Sequence, residues 1–385
     1  MRSLAWSIIR SVSKLPAGSA PPRRWLPAPA RRDALGDRLF REKQSKQGLP
    51  RRCFCSAIAD KAETKKAAAD ESNPTVETTM ATQDLHCHYH MPIFPGSSHR
   101  DGAIYKKRLE WESDYGVDIT DRTETLLKPS YVDDMTCEML QIFSLKLAKS
   151  PVTASARNGS IELYGFMAAR DEYDLKLNYV FNRGREDPVV VQEGSLIQMT
   201  GPRRCIAFHC DVLLEFDMRI KNGEREEDDA QLIDGMSEVR GMFMPWEPTP
   251  VRLDGDCGAV EVSSALVSNA VAAIVEVIVV SDVRSGLDLS LSSVICAVEA
   301  HEFQLFHGSV GDWCGERRRF AIAVTVDTMM HLKFVAGHKG SNGNVKRRCS
   351  FRAKINGQVS RRIKLELASI LVKVTWAAWP YHMFC

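Results

Sequence analysis

The sequence has no Gly-x-Ser-x-Gly elbow, no Walker phosphate loop and no glycine fingerprint for dinucleotides. The local signatures of serine hydrolases, P-loop nucleotide hydrolases and Rossmann oxidoreductases are therefore missing. No apolar run is long and unbroken enough to cross a bilayer as a helix, so no transmembrane segment is expected. The 11 cysteines are odd in number and show no paired spacing, which argues against a disulfide framework. Cys205, Cys210 and Cys296 instead sit in strand-like apolar runs, where a thiol behaves as a small hydrophobe. No internal repeat stands out, and none of these features calls for a cofactor.

Charge is almost balanced over the whole chain, at +2, with 44% hydrophobic residues, enough for a sizeable core. The balance hides an asymmetry. Residues 1–54 carry ten Arg and three Lys against two Asp and one Glu, a net +10, which leaves −8 for the remainder. Leu4, Ala5, Ile8, Ile9, Val12 and Leu15 recur at helical spacing, between Arg2, Arg10 and Lys14 and the serines at 3, 7, 11 and 13. An Arg-rich, Ser-containing, acid-poor amphipathic helix has the composition of an organelle transit peptide. Arg52-Cys53-Phe54-Cys55 resembles the Arg-x-Phe cleavage pattern of mitochondrial presequences, with the cut between Phe54 and Cys55. The expected destination is the mitochondrion, with chloroplast or cytoplasm as alternatives.

Residues 55–98 show no sustained apolar period and read as a disordered linker. Within it, His86, Cys87, His88 and His90, followed by His99, offer imidazole and thiolate ligands for a soft divalent ion. Structural zinc sites, however, draw ligands from two separated knuckles, and no Cys-x-x-Cys or spaced His pair supplies a second one. A solvated low-complexity patch is the simpler reading. Residues 99–137 are expected to form a short helix, over 101–112, and an extended arm, over 115–131.

From 138 to 377 the pattern is that of strands, and 378–385 is a tail. Leu140–Leu147 carries apolar residues on both faces of an extended chain: Leu140, Ile142, Ser144 and Lys146 on one, Gln141, Phe143, Leu145 and Leu147 on the other. Ile161–Ala168 and Leu175–Phe181 follow, the first after the turn pair Asn158-Gly159. In Val212–Lys221, Leu214, Phe216, Met218 and Ile220 are expected inward, with Glu215, Asp217, Arg219 and Lys221 in water. Further runs lie at 259–262, 270–280, 287–298, 320–327, 332–335 and 370–376. Val271, Val275, Val277, Val279 and Val280 favour strand over helix in the Ala-rich stretch around them. Many short strands without a βαβ rhythm specify an all-β protein, an antiparallel β-sandwich-like body built as one large unit or two packed halves.

The segments LQIFSLKLAKSP, IELYGFMAARDEYDLKLNYVFNRGREDP, SLIQMTGPRRCIAF and LLEFDMRIKNGE together resemble an uncharacterised domain abundant in grass proteins, over roughly 100–376. In some of those proteins the domain follows a ribosome-inactivating rRNA N-glycosidase domain. The resemblance implies a fold and a lineage, with a stress or defence context but no established activity.

Three local features bear on function. Glu224–Asp229 is acidic and would suit calcium or a C2-like lipid module, but its acids crowd along a hairpin tip, as in a solvated turn. Arg203-Arg204, Lys346–Arg348 and Arg361-Arg362 could meet phosphates, yet none is interleaved with aromatics, and the part beyond the leader is acidic, which disfavours nucleic acid. Glu316 and Arg319, in Glu-x-x-Arg-Phe, resemble a catalytic segment of rRNA N-glycosidases, where both side chains share a helix face. Here the segment runs into strand-like sequence. The reading that results is a non-enzymatic binding or interaction module with a protein partner; an N-glycosidase-related enzyme is the alternative.

Overall fold

The structure, a computed structural model, describes residues 91–105, 121–125, 135–151, 159–209, 211–240, 245–280, 287–296, 300–310, 317–338, 344–365 and 368–378. The leader with Phe54 and Cys55, the cluster His86, Cys87, His88 and His90, and Glu316 lie outside the described residues.

Among the described residues the helical pieces are two 3-10 turns, Ala103–Tyr105 and Glu226–Asp228, and the rest is strand and loop. The helix expected over 101–112 is a 3-10 turn as far as residue 105, and its remainder lies outside the described residues. The all-β antiparallel expectation holds. The strands are β1 (Cys137–Lys149), β2 (Ser160–Asp171), β3 (Asp174–Arg183), β4 (Val189–Gln192), β5 (Leu196–Ile197), β6 (Ile206–Ala207), β7 (Val212–Ile220) and β8 (Ala230–Val239). There follow β9 (Thr249–Asp254), β10 (Ala259–Val279), β11 (Leu287–Cys296), β12 (Ala300–Ser309), β13 (Arg317–Thr325), β14 (Met329–His338), β15 (Val345–Arg352), β16 (Gly357–Lys364) and β17 (Ser369–Ala377).

The 21-residue β10 organises the body. Its first part pairs with β1 and β9, and its second part with β13 and β17, so one eight-stranded sheet runs through the molecule. Two smaller sheets cover it. The five-stranded one, β3-β2-β7-β8 with β4 on β2, shares a core with β1, β9 and the first part of β10. The four-stranded one, β12-β11-β14-β15, shares a second core with β13, β17 and the second part of β10. The expected runs at 259–262 and 270–280 are thus one strand, and the two-halved sandwich is realised around it.

Strand β1 serves both cores. Leu140, Ile142, Leu145 and Leu147 enter the first, while Met139 and Phe143 enter the second. Strict alternation would have put Leu145 and Leu147 beside Phe143. The register against β10 steps from Ile142↔Ser264 to Ser144↔Ser263, so Phe143 is an extra residue. A bulge of this kind reverses the faces of everything beyond it.

Candidate functional site

On β7, Leu214, Phe216, Met218 and Ile220 are buried in the first core as expected. The opposite face departs from expectation. Glu215 is completely buried, and Asp217 and Arg219 are largely covered and paired with each other at 2.8 Å. The reason is that the chain covers its own sheet: residues 91–105 lie against β8, and residues 121–125 run parallel to the edge of β3, bonded through Thr125 and Leu177.

Asp234 on β8 is the anchor for 91–105. Its carboxylate accepts hydrogen bonds from the backbone of His99 at 2.9 Å, the backbone of Arg100 at 3.1 Å and the Ser98 hydroxyl at 2.6 Å. The Ser97 hydroxyl, in turn, accepts the Met236 amide at 3.0 Å and donates to the Phe94 carbonyl at 2.6 Å. Ile104 plugs a small apolar cluster with Leu213 and Met236, and Met91 reaches the first core. Gly235 makes the approach possible: its φ is +137°, and a Cβ there would sit 2.6 Å from Ile93 and 2.7 Å from the Ser97 hydroxyl. Residues 91–98, linker-like by composition, are therefore packed structure.

His99 bridges the two carboxylates. Its Nδ1 lies 2.7 Å from Asp234 and its Nε2 2.9 Å from Glu215. Glu215 also accepts from buried Arg170 at 2.9 Å and from Arg122 of the 121–125 segment. The two Nη nitrogens of Arg170 donate to the carbonyls of Leu175, at 2.6 Å, and Asp121, at 2.8 Å. Phe166 stands edge-on to His99 with centroids 5.6 Å apart, and the Arg122 guanidinium lies 4.9 Å from its centroid.

Burial opposes the charged form of His99, but its bonds to Asp234 and Glu215 outweigh that and raise its pKa above the ordinary value. Burial likewise opposes ionisation of Asp234 and Glu215. Four donors on Asp234 bring it down to about 2, and His99, Arg170 and Arg122 hold Glu215 below the usual carboxylate range. The cluster is an ionised, enclosed network in which each oxygen and each imidazole nitrogen has a partner. Such an arrangement can fasten two segments, but it presents no free nucleophile or base.

Two further buried pairs repeat the pattern. Arg204 donates to Asp171 at 2.5 and 2.6 Å in the interior, while Arg203, exposed at the surface, pairs with Glu124 at 2.6 Å, so each of these arginines already faces a carboxylate. Asp229, at the end of the acidic loop, accepts from Tyr164 at 2.6 Å and Arg185 at 2.7 Å. Burial works against its charge, but these donors and the Asn222 amide bring its pKa to about 2. Glu226 and Asp228 face Arg219 and Arg225. The loop's carboxylates thus diverge toward arginines, and no group of three or more potential ligands that could hold a metal occurs among the described residues.

Arg319 lies on β13, where it donates to Glu276 on β10 at 2.8 Å, opposite it in register. Arg317 and Lys373 approach the same carboxylate at 3.2 and 3.3 Å. Arg319 thus sits on a strand, while its glycosidase-like partner Glu316 lies outside the described residues. Lys346–Arg348 and Arg361-Arg362 are solvent-exposed on β15 and β16. Cys137, Cys205, Cys257 and Cys349 are free thiols, and burial pushes Cys205 up to about 12.

No curated protein sequence matches the chain. Among solved structures, human GIVD cytosolic phospholipase A2 in complex with methyl gamma-linolenyl fluorophosphonate matches with 10% identity and a TM-score of 0.22, over 64% of this chain and 33% of that chain. The calcium-bound tandem C2 domains of Extended-Synaptotagmin 2 match with 9% identity and a TM-score of 0.23, over 65% of this chain and 98% of that chain. Superpositions at this level carry no argument about fold or function. The profile of a domain of unknown function, DUF6598, matches residues 139–374, from the start of β1 into β17. That stretch is more than half of the sequence, and the chain belongs to this family.

Proposed function

We propose that the chain is a non-enzymatic binding or interaction module, and that the outer face of its five-stranded sheet is closed by the chain itself. The observation that carries this reading is the saturation of the His99, Glu215 and Asp234 cluster, whose charges are consumed in holding 91–105 and 121–125 in place. An enzyme needs converging polar groups left unsatisfied in a cleft. By the sequence resemblance, the host is a grass protein with a stress or defence role, and the basic leader directs it to mitochondria with cleavage between Phe54 and Cys55.

The test is an adenine-release assay on ribosomes with the purified chain. The module reading expects no release above background, and no change in Glu316→Gln or Arg319→Gln. Release that either substitution abolishes would establish the glycosidase-related enzyme instead. The targeting claim is checked by fusing residues 1–60 to a fluorescent reporter: mitochondrial signal is expected, with cytosolic signal when Arg2, Arg10 and Lys14 become Glu.

A further inference from the structure

From Thr328 to Leu365 the chain carries ten Lys and Arg and no Asp or Glu. This stretch forms β14, β15 and β16. Strand β15 is the last strand of the four-stranded sheet and β16 the last of the eight-stranded sheet, and Ala353–Asn356 joins them directly. Two edge strands of the second sandwich, one from each of its sheets, thus lie in one cationic run. Arg347 and Arg361 stand on the inward rows of their strands yet are exposed, and the Arg361 guanidinium lies 5.4 Å from the centroid of Phe351. Lys346 and Arg348 continue the charge round one sheet, and Arg362 and Lys364 round the other. The nearby acids are used: Glu302 takes Lys333, and Asp327 takes Arg352 at 3.4 Å. Among the described residues, Lys346, Arg347, Arg348, Lys354, Arg361, Arg362 and Lys364 have no carboxylate partner.

One end of this band is apolar. Met329 and Ile355 are exposed there, at 40% and 37%. Their turns are stitched together, with the Ala353 amide donating to Thr328 at 2.9 Å and the Asp327 amide to Ala353 at 3.1 Å. Seven unpaired cations on a strand edge select a polyanion. An apolar tip beside them has a complement at the acyl boundary of a lipid leaflet and none on a phosphodiester backbone.

We propose that the β15–β16 edge docks this protein on an anionic lipid surface, with the cations against the headgroups and Met329 and Ile355 at the acyl boundary. The proposal rests on the binding-module reading and names its ligand class.

The experiment is flotation of the full chain with phosphatidylcholine vesicles, with and without about one part in four phosphatidylserine. Binding is expected only with the anionic lipid, weakening as salt rises. Combined Arg347→Glu, Arg348→Glu, Arg361→Glu and Arg362→Glu should lower it at least about tenfold. The milder pair Arg348→Gln and Arg362→Gln, both in solvent, should lower it severalfold, and Ile355→Ser should weaken it without changing the salt dependence. The basic leader is present in every variant, and changing Arg2, Arg10 and Lys14 to Glu should leave most of the vesicle binding intact.

Equal binding to neutral vesicles would overturn the proposal. So would wild-type flotation by the edge variants, and if those variants also self-associated, the band would be assigned to protecting the edges from strand pairing. Binding to duplex DNA or RNA by a chain that ignores vesicles would replace lipid with nucleic acid. A wild-type chain that ignores every vesicle yet captures a protein partner would retain the module reading while removing the lipid.

Discussion

The imidazole of His99 and the carboxylate of Asp234 meet at 2.7 Å, and the other ring nitrogen of His99 faces Glu215 at 2.9 Å. Only an imidazolium donates from both nitrogens, so the contact fixes the charged form. Its pH dependence follows from the shifts. The raised pKa of His99 makes its contribution complete below about 6.5, the unfolded value, and lost as pH rises through the higher folded value. Asp234, lowered to about 2, contributes fully above about 4, its unfolded value, and the contribution is lost as pH falls toward 2. Urea midpoints should therefore fall between pH 6 and pH 9, and Asp234→Asn should flatten the fall. A wild-type midpoint that rises over this interval would contradict the assignment.

Glu215 and Phe216 are neighbours on β7 that serve opposite faces, and both are fully buried. Glu215→Gln leaves Arg170 enclosed without its counter-charge and should cost about 3–5 kcal/mol. Phe216→Ala should cost about the same, roughly 3–5 kcal/mol, through the cavity it opens. Asp217→Ala should cost less, about 1–2 kcal/mol, since Arg219 keeps partial access to water. Denaturant titration of the three variants separates these outcomes.

Gly235→Ala tests the docking of 91–105 from the other side. A methyl group at φ +137°, 2.6 Å from Ile93, cannot be placed without moving the segment. Limited proteolysis should cut within 91–105 much faster in the variant, while the β1–β10 pairing stays protected.

Much of the fold was legible because β7 and β17 carry unbroken apolar rows, Leu214-Phe216-Met218-Ile220 and Ile370-Val372-Val374-Trp376, and because β2 and β13 are dense in aliphatic and aromatic residues. What escaped did so for physical reasons. The extra residue at Phe143 leaves no mark in a period-2 pattern, yet it exchanges the faces of Leu145 and Leu147. Strands β15 and β16 are edges, so cations replace the apolar alternation by which strands are recognised. Glu215 looked solvated because its row is polar, and nothing in a strand's own sequence says that a segment 116 residues earlier will cover it. The one available signal was His99 itself, with Ser97 and Ser98 beside it, a polar trio able to bond backbone and carboxylate alike. The glycosidase-like Glu316 and Arg319 pair was legible as a spacing only; the strand at Arg319 removes its helical context.

Arg319 is half-exposed and shares Glu276 with Arg317 and Lys373. Arg319→Gln should therefore change stability by less than about 1 kcal/mol, whereas Glu276→Ala, which strips three cations of their shared partner, should cost about 1–2 kcal/mol. Thermal melts of the two variants check the order. A larger loss at Arg319 would mean that it carries a role beyond this pairing.

The central claim is that the chain closes the outer face of its own five-stranded sheet through Asp234, His99 and Glu215. Amide hydrogen exchange at fixed pH, on the wild type and on Asp234→Asn, tests it most directly. The account predicts that the amides of Phe94, His99, Arg100 and Met236 are protected in the wild type and lose that protection in the variant, while the β1–β10 ladder exchanges slowly in both. Exchange of those four amides at the rate of an unstructured peptide in the wild type would show the face to be open, and would contradict the account.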